Sequence, residues 1–220
     1  MEMIVYYRMC DVKSGLSKKS PIHPDNNYEL AKMCLKSFVD KYKLVKPRVV
    51  FICDHCPLTY DKMIREVVPF DHTITHTAMG INETCLYQYR LYEQSKEDVV
   101  MFLEYDYLWA NVLIPEDIQA LGLVTPYDHP DKYPTDNAQI IIVNNKHYRS
   151  TVSTTATFAT TRKLFMKHKD ILYKHGYIDH ARWLEITDTL YSPIPSCATH
   201  MVQDYMAPRI AWHDIADKYA

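Results

Sequence analysis

Apolar positions along this chain follow two rhythms. Met3–Cys10, Arg48–Cys53 and Val99–Leu103 are short, nearly continuous apolar runs, the pattern of strands covered on both faces. Between them, apolar residues recur at three and four. Leu30, Met33, Cys34, Phe38 and Tyr42 predict a helix over Asn26–Tyr42, with Asp25 or Asn26 able to cap it. Pro57–Val68 reads as a short helix and His72–Met79 as a Thr-rich strand. Asn82–Lys96 reads as a helix capped by Asn82, with Glu83 in its first turn. Two-sided apolar strands alternating with helices predict an α/β fold, with a mainly parallel sheet and helices on both faces.

The second half is mixed. Pro115–Leu121, Arg162–Tyr177 and Asp179–Thr187 are predicted helices, and Gln139–Val143 and Thr154–Thr160 predicted strands. Thr125–Asn137, rich in Pro, Asp and Tyr, is a predicted loop, and the tail from Ser192 is read as irregular. With no repeat and no linker, residues 1–220 are taken as one domain, divided near residue 110 into an α/β half and a mixed half.

Composition narrows the chemistry. The 220 residues are 47% hydrophobic and 24% charged, an ordinary globular balance. Four scattered glycines, Gly15, Gly80, Gly122 and Gly176, exclude a dinucleotide fingerprint or a phosphate-binding P-loop. A net charge of −2 argues against a strongly basic nucleic-acid binder. No leader or membrane span is expected, and the six cysteines read as reduced, buried thiols, so the expected location is the cytoplasm, a host's if the protein is viral. Cys53-Asp54-His55-Cys56 has the spacing of a metal or redox pair, but no second pair follows at zinc-like distance and Cys53 belongs to an apolar run.

Ligands of open parallel sheets bind beyond the carboxyl ends of the strands. Here those ends carry Arg8, Cys10 and Asp11, then Asp54 and His55, then Met79-Gly80, and finally Glu104-Tyr105-Asp106. Two acids at i and i+2 project from one side of an extended chain and repel unless a cation or donors lie between them. Such an edge suits a charged ligand with a hard divalent ion, Mg²⁺ or Mn²⁺.

The segment Val100-Met101-Phe102-Leu103-Glu104-Tyr105-Asp106-Tyr107-Leu108-Trp109 is similar to the acidic motif of small phage-encoded nucleotide-sugar glycosyltransferases of the GT-A fold, and Ala198-Thr199-His200 resembles their late Ala-Thr-His segment. The resemblance implies a Rossmann-like GT-A fold, with residues 1–110 as the nucleotide-sugar-binding half and residues 111–220 as the acceptor-side half. It implies that Arg8 and Asp11 lie near the nucleotide and that Asp54 reads the uracil or ribose. It further implies that Asn82 and Arg90 face the base and diphosphate, that Asp106 binds Mn²⁺ or Mg²⁺, that Glu104 shares the metal or binds the ribose, and that His200 completes the metal shell. Glu104 departs from a strict Asp-x-Asp. Read bottom-up, Arg90 can equally pair with Glu93 or Glu97 on a helix surface, and Asn82 can be a plain cap.

An inverting transfer needs a carboxylate to take the acceptor proton. Asp179 is the first candidate and Asp128 the second, although Asp179 can also be an N-cap. The expected reaction moves a sugar, glucose among the candidates, from a nucleoside diphosphate carrier, UDP first, to a hydroxyl. The phage resemblance points to a 5-hydroxymethylpyrimidine in DNA, 5-hydroxymethylcytosine for example. Arg162, Lys163, Lys167, His168, Lys169, Lys174 and His175 on one helix, with Lys13, Lys18 and Lys19, supply positive charge for phosphate contacts. Competing readings are transfer to a saccharide or lipid-linked glycan, a nucleotidyltransferase, and a non-catalytic nucleotide-binding module. The oligomeric state is not legible.

Overall fold

The computed structural model describes residues 2–11, 20–134 and 137–220. Gly15 and the lysines at 13, 18 and 19, to which the loop's positive charge is assigned, lie outside the described residues. The first half follows the apolar rhythm closely. Strand β1 (Met3–Cys10) is followed by α1 (Asn27–Tyr42), β2 (Arg48–Asp54), α2 (Thr59–Val67), β3 (His72–Thr77), α3 (Ile81–Gln94) and β4 (Val99–Glu104). Asn26 caps α1, accepting from the Glu29 amide at 3.1 Å.

β1 pairs in parallel with β2 on one side and β4 on the other, and β3 extends the β2 edge. Both faces of these strands are buried, and side-chain parity sorts them. Met3, Val5, Tyr7 and Met9 pack into one apolar cluster with α1 and α2; Ile4 and Tyr6 pack into a second with α3. β4 does the same, with Val99, Met101 and Leu103 on the first face and Val100 and Phe102 on the second.

The rest of the chain is β5 (Tyr107–Trp109), α4 (Pro115–Leu121), β6 (Leu123–Val124), β7 (Ile140–Val143), β8 (Lys146–Thr151), β9 (Phe158–Thr161), α5 (Arg162–His175), α6 (Asp179–Glu185), β10 (Leu190–Ile194), β11 (Ala198–His200) and α7 (Trp212–Tyr219). The large sheet runs β3-β2-β1-β4-β9-β6-β10-β8-β7. From β9 onward its pairings are antiparallel except β6–β10, so the sheet is mixed. β8, β10 and β11 correct the sequence reading, as does α7 in the tail expected to be irregular. β8 is mostly polar, β10 carries Pro193 inside its paired run, and β11 is only three residues long. The strand expected over Thr154–Thr160 begins only at Phe158: Ser153–Thr155 line the cavity described below, and the Thr157 hydroxyl accepts from the Glu104 amide. No helix among the described residues is long and apolar enough to cross a membrane.

Two buried carboxylates fasten the second half. Asp117 on α4 accepts from Asn144 Nδ2 (2.8 Å), Lys146 Nζ (2.6 Å) and the Tyr148 hydroxyl (2.8 Å), holding the β7–β8 hairpin. Asp128 accepts from Arg149 Nε (2.6 Å), the Tyr133 hydroxyl (2.5 Å) and the Ser192 hydroxyl (3.2 Å). Arg149 and Asp128 are both buried, and removing one partner of such a pair leaves an uncompensated charge. Arg149→Met should therefore cost about 3–5 kcal/mol, read as a drop of roughly 10 °C in Tm by scanning calorimetry; an unchanged Tm would show that the pair holds nothing.

Candidate active site

In the order β3-β2-β1-β4 the connections leave β1 in opposite directions, and the crevice of an open sheet lies at that switch point, beyond the carboxyl ends. A cavity of about 860 Å³ opens there. It is bounded by the ends of β1, β2 and β4, the first turns of α3 and α6, the Ser153–Thr155 segment, and β11. That size falls within the range of small-molecule sites.

Its floor follows from strand parity. The parallel register sets Arg8 beside Glu104 and Cys10 beside Asp54. Arg8 and Glu104 fall on the α3 face, one step beyond the apolar Tyr6 and Phe102. Arg8 Nη2 donates to Glu104 Oε1 at 2.9 Å, and Nη1 to the Ile81 carbonyl at 3.0 Å and Thr84 Oγ1 at 3.5 Å. Burial pushes the Glu104 carboxyl up and the guanidinium opposes this; the net position is above the usual carboxylate range.

Asp54 is buried and holds the turn into α3. Its oxygens accept from the Thr77 hydroxyl (2.9 Å) and the Met79 and Gly80 amides (2.8 and 3.1 Å), and His55 Nδ1 lies at 3.1 Å. Burial raises this carboxyl, but the Met79 amide, His55 and Thr77 together hold it below its ordinary value. Gly80, at φ +86°, is the α3 N-cap.

His200 reaches the cavity through chain pairing alone. β11 runs antiparallel to β5, setting His200 opposite Tyr107, and the Met201 amide donates to the Asp106 carbonyl at 2.9 Å. The His200 ring stacks on Tyr107, the ring planes 1° from parallel and the centroids 5.1 Å apart. His200 Nε2 lies 3.0 Å from Asp106 Oδ2. Burial pushes each partner toward its neutral form, yet their attraction prevails, leaving His200 above and Asp106 below its ordinary value. The charges of Glu104 and Asp179 also raise His200.

A divalent ion would set a geometric demand on these groups. Two donors at 2.0–2.1 Å from an octahedral ion, 90° apart, are about 3.0 Å from each other, which is the separation of Asp106 Oδ2 and His200 Nε2. Mg²⁺-like ions commonly take one or two protein ligands and complete their shell with water and phosphate. The pair has the spacing of two neighbouring positions on such an ion, which is also the spacing of the hydrogen-bonded ion pair that joins them here. The expected set of three does not form: no group of three or more His, Cys, Asp or Glu is arranged around one point among the described residues, and Glu104 is held by Arg8.

Other expectations are redistributed. Asp179 lines the cavity as the first residue of α6, its Oδ1 accepting from the His180 amide at 2.7 Å; the N-cap is Ile178. Asp128, the second candidate base, is not among the lining residues, because Arg149 holds it inside the protein. Asp11 accepts from the Tyr60 hydroxyl at 2.8 Å and does not line the cavity either. Asn82 is not the cap of α3; its Oδ1 accepts from the Tyr177 amide at 3.4 Å, away from the cavity lining. Arg90 is exposed on α3 with Glu83 at 3.8 Å, rather than Glu93 or Glu97, and does not line the cavity. Cys53 lies in the core, and no disulfide joins any of the six cysteines.

The basic bias of α5 is largely matched on the protein itself. Lys167 and His168 meet Asp188 (2.6 and 2.5 Å), Lys169 meets Glu93 (3.1 Å), and Lys174 and His175 meet Glu185 (2.7 and 2.8 Å). Arg162 is turned onto the carbonyls of Tyr92, Ser95 and Glu97.

Sequence reasoning missed Thr84, Tyr127, His129, Thr154, Thr155 and His180, all cavity-lining. The run Ser150-Thr151-Val152-Ser153-Thr154-Thr155 was the available signal: too many hydroxyls for a covered strand, enough for a polar wall.

No family model matches the chain, and no curated protein is similar to it. Among solved structures it is similar to A197 from STIV (10% identity, 94% of this chain and 91% of that one, TM-score 0.48). It is also similar to the galactosyltransferase LgtC in complex with donor and acceptor sugar analogs (12% identity, 84% and 70%, TM-score 0.48). A third is the glycosyltransferase GlyE of Streptococcus pneumoniae TIGR4 (11% identity, 86% and 44%, TM-score 0.49). At this distance these likenesses carry nothing about activity.

Asp54 supports a pH prediction. Its folded-state value is depressed, so its contribution is complete above about pH 4 and is lost as pH falls through the folded value. Asp54→Asn should lower Tm at neutral pH by several degrees and flatten the fall of Tm below about pH 4. Parallel acid limbs for the two proteins would show that the Asp54 carboxylate does not secure the turn into α3.

Proposed function

We propose that this protein is a metal-dependent glycosyltransferase that moves a sugar from a nucleoside diphosphate carrier, UDP first among them, to a hydroxyl acceptor. The observation that carries the reading is the meeting of the Asp106–His200 pair with the Arg8–Glu104 pair at the switch point of the sheet. Asp106 and His200 would hold the Mn²⁺ or Mg²⁺, which supplies positive charge where the departing diphosphate becomes more negative. Arg8 adds a fixed positive charge to the cavity floor, oriented by Glu104, Ile81 and Thr84. The hydroxyl-rich wall and the Asp54-held turn flank the space left for the nucleotide and sugar.

The bond to the sugar carbon forms from the acceptor oxygen as the bond to the phosphate oxygen breaks. The acceptor proton passes to a base, for which Asp179, which lines the same cavity, is our assignment. A hydroxymethylated pyrimidine in DNA remains the acceptor to test first, against a saccharide panel. Its phosphates would have to meet surfaces other than α5, whose charges are largely matched.

UDP with Mn²⁺ at about 100-fold its Kd should raise Tm by roughly 5–10 °C, and Asp106→Ala should abolish the shift. Equal stabilisation by UDP with and without metal would remove the metal from the reading.

A screen of UDP-glucose, UDP-galactose, UDP-N-acetylglucosamine and GDP-mannose should find one donor from which nucleoside diphosphate is slowly released to water. Asp179→Asn should slow that release by about 10²-fold or more while UDP affinity stays the same. Release of inorganic diphosphate from a nucleoside triphosphate instead would identify a nucleotidyltransferase. Nucleotide binding without turnover of any donor would identify a binding module.

A further inference from the structure

The buried guanidinium of Arg182 belongs to α6 and has no role in the reading above. It is fully buried, at 0% exposure. Its Nη1 donates to the Tyr89 hydroxyl (2.9 Å) and the Gly176 carbonyl (3.1 Å), and its Nη2 to the Thr155 carbonyl (2.7 Å). No carboxylate of the described residues lies within ion-pair distance of it, and its Nε finds no partner. The rings of Phe158 and Trp183 lie 5.3 and 5.4 Å from its central carbon.

Burying a charge with no carboxylate in contact costs several kcal/mol; the Glu104 charge acts on it only through space, and an apolar side chain would fill the same space without that cost. The hydrogen bonds show what the charged side chain holds together. Tyr89 belongs to α3, Gly176 terminates α5, and Thr155 is on the cavity wall. The two carbonyls are irregular-backbone acceptors that must be satisfied once buried. Three segments are thus bound to one point on α6, and that point lies three residues after Asp179, on the same helical face. Thr155 is itself tied to the acidic motif: its hydroxyl pairs with Tyr107 at 2.7 Å, and it accepts from the amide of Thr157, whose own hydroxyl accepts from the Glu104 amide at 3.2 Å.

We propose that Arg182 is a positioning residue that fixes the first turn of α6 against the cavity wall, and so sets the distance between the Asp179 carboxylate and the groups at the end of β4. The proposal rests on the transferase reading, with Asp179 as the proton acceptor. It predicts that Arg182 acts only through Asp179. A lysine keeps the charge but cannot reach three acceptors in fixed directions, and a displacement of about 1 Å in a reacting group can cost about 10²-fold.

The test is a double-mutant cycle on donor hydrolysis, using the sugar donor turned over fastest in the screen, with calorimetric binding of UDP and Mn²⁺ as the second measurement. Arg182→Lys should lower kcat by about 10-fold or more while leaving the Kd for UDP within about two-fold. In the Asp179→Asn background the same change should alter kcat by less than about two-fold. Equal fold losses in both backgrounds, or a loss of UDP affinity at unchanged kcat, would overturn the proposal. If Arg182→Lys does not fold, Tyr89→Phe removes one acceptor at nearly constant shape. It should give a smaller loss that likewise vanishes with Asp179→Asn, and an additive loss there overturns the proposal equally. A wild-type protein that neither binds UDP nor hydrolyses any donor overturns the transferase reading, and this proposal with it. Binding and hydrolysis with additive losses overturn this proposal alone.

Discussion

The alternation of side chains along β1 and β4 is the constraint from which the site follows. Both strands are covered on both faces, so every residue from Met3 to Met9 and from Val99 to Leu103 has to be accommodated in one of two dry layers. Arg8 and Glu104 are the places where this rule yields. The same parity that directs Tyr6 and Phe102 toward α3 directs Arg8 and Glu104 there too. Two opposite charges at one register position can stay partly buried because each satisfies the other. A single charge at either place would have to be expelled or neutralised.

Pairing also decides what is left over. Glu104 is matched by Arg8, so the next acid, Asp106, beyond the end of β4, meets a different partner, the imidazole of His200. That histidine comes from residues nearly a hundred positions later, delivered by β5–β11 pairing. A histidine is a replaceable partner in a way that arginine is not, because its ring nitrogen can exchange a proton for a metal ion. The two acids of one short motif therefore differ in what they can do. Arg8 makes Glu104 part of the floor, whereas His200 leaves Asp106 open to exchange.

The part of the molecule legible in the sequence is the part where local pattern and tertiary environment agree. β1, β2 and β4 are apolar on both faces because they are covered on both faces, so their ends could be located and the chemistry collected there. Asp106, His200, Arg8, Asp54 and Asp179 were found in this way or through the motif resemblance, and all five line the cavity. Where the environment comes from distant residues, the pattern is silent. Asp128 stands in a Pro-rich loop that looks exposed, yet Arg149 and Tyr133 hold it inside. Asn82 has the residue type of a cap, but Gly80 takes that place because Asp54 binds its amide. Arg182, on a short helix of ordinary composition, gives no sign in sequence that three backbone segments converge on it.

The basic helix α5 illustrates the same limit for charge. Its cations counted together suggest a positive surface, but a count along the chain takes no account of what faces the helix. Asp188 and Glu185 follow α5 by ten to twenty residues and return beside it, and Glu93 reaches it from α3. Exposed pairs of this kind contribute little to stability. Their consequence is for the surface potential, since a lysine already beside a carboxylate brings little net charge to an approaching phosphate and displaces few counterions from it. Polyanion binding on this face would have to break those pairs first. By the same reasoning Arg8 is matched by Glu104, and the positive charge without a carboxylate in contact lies inward, in Arg182 behind the cavity wall, where a low local dielectric makes one buried charge count for more than several screened ones.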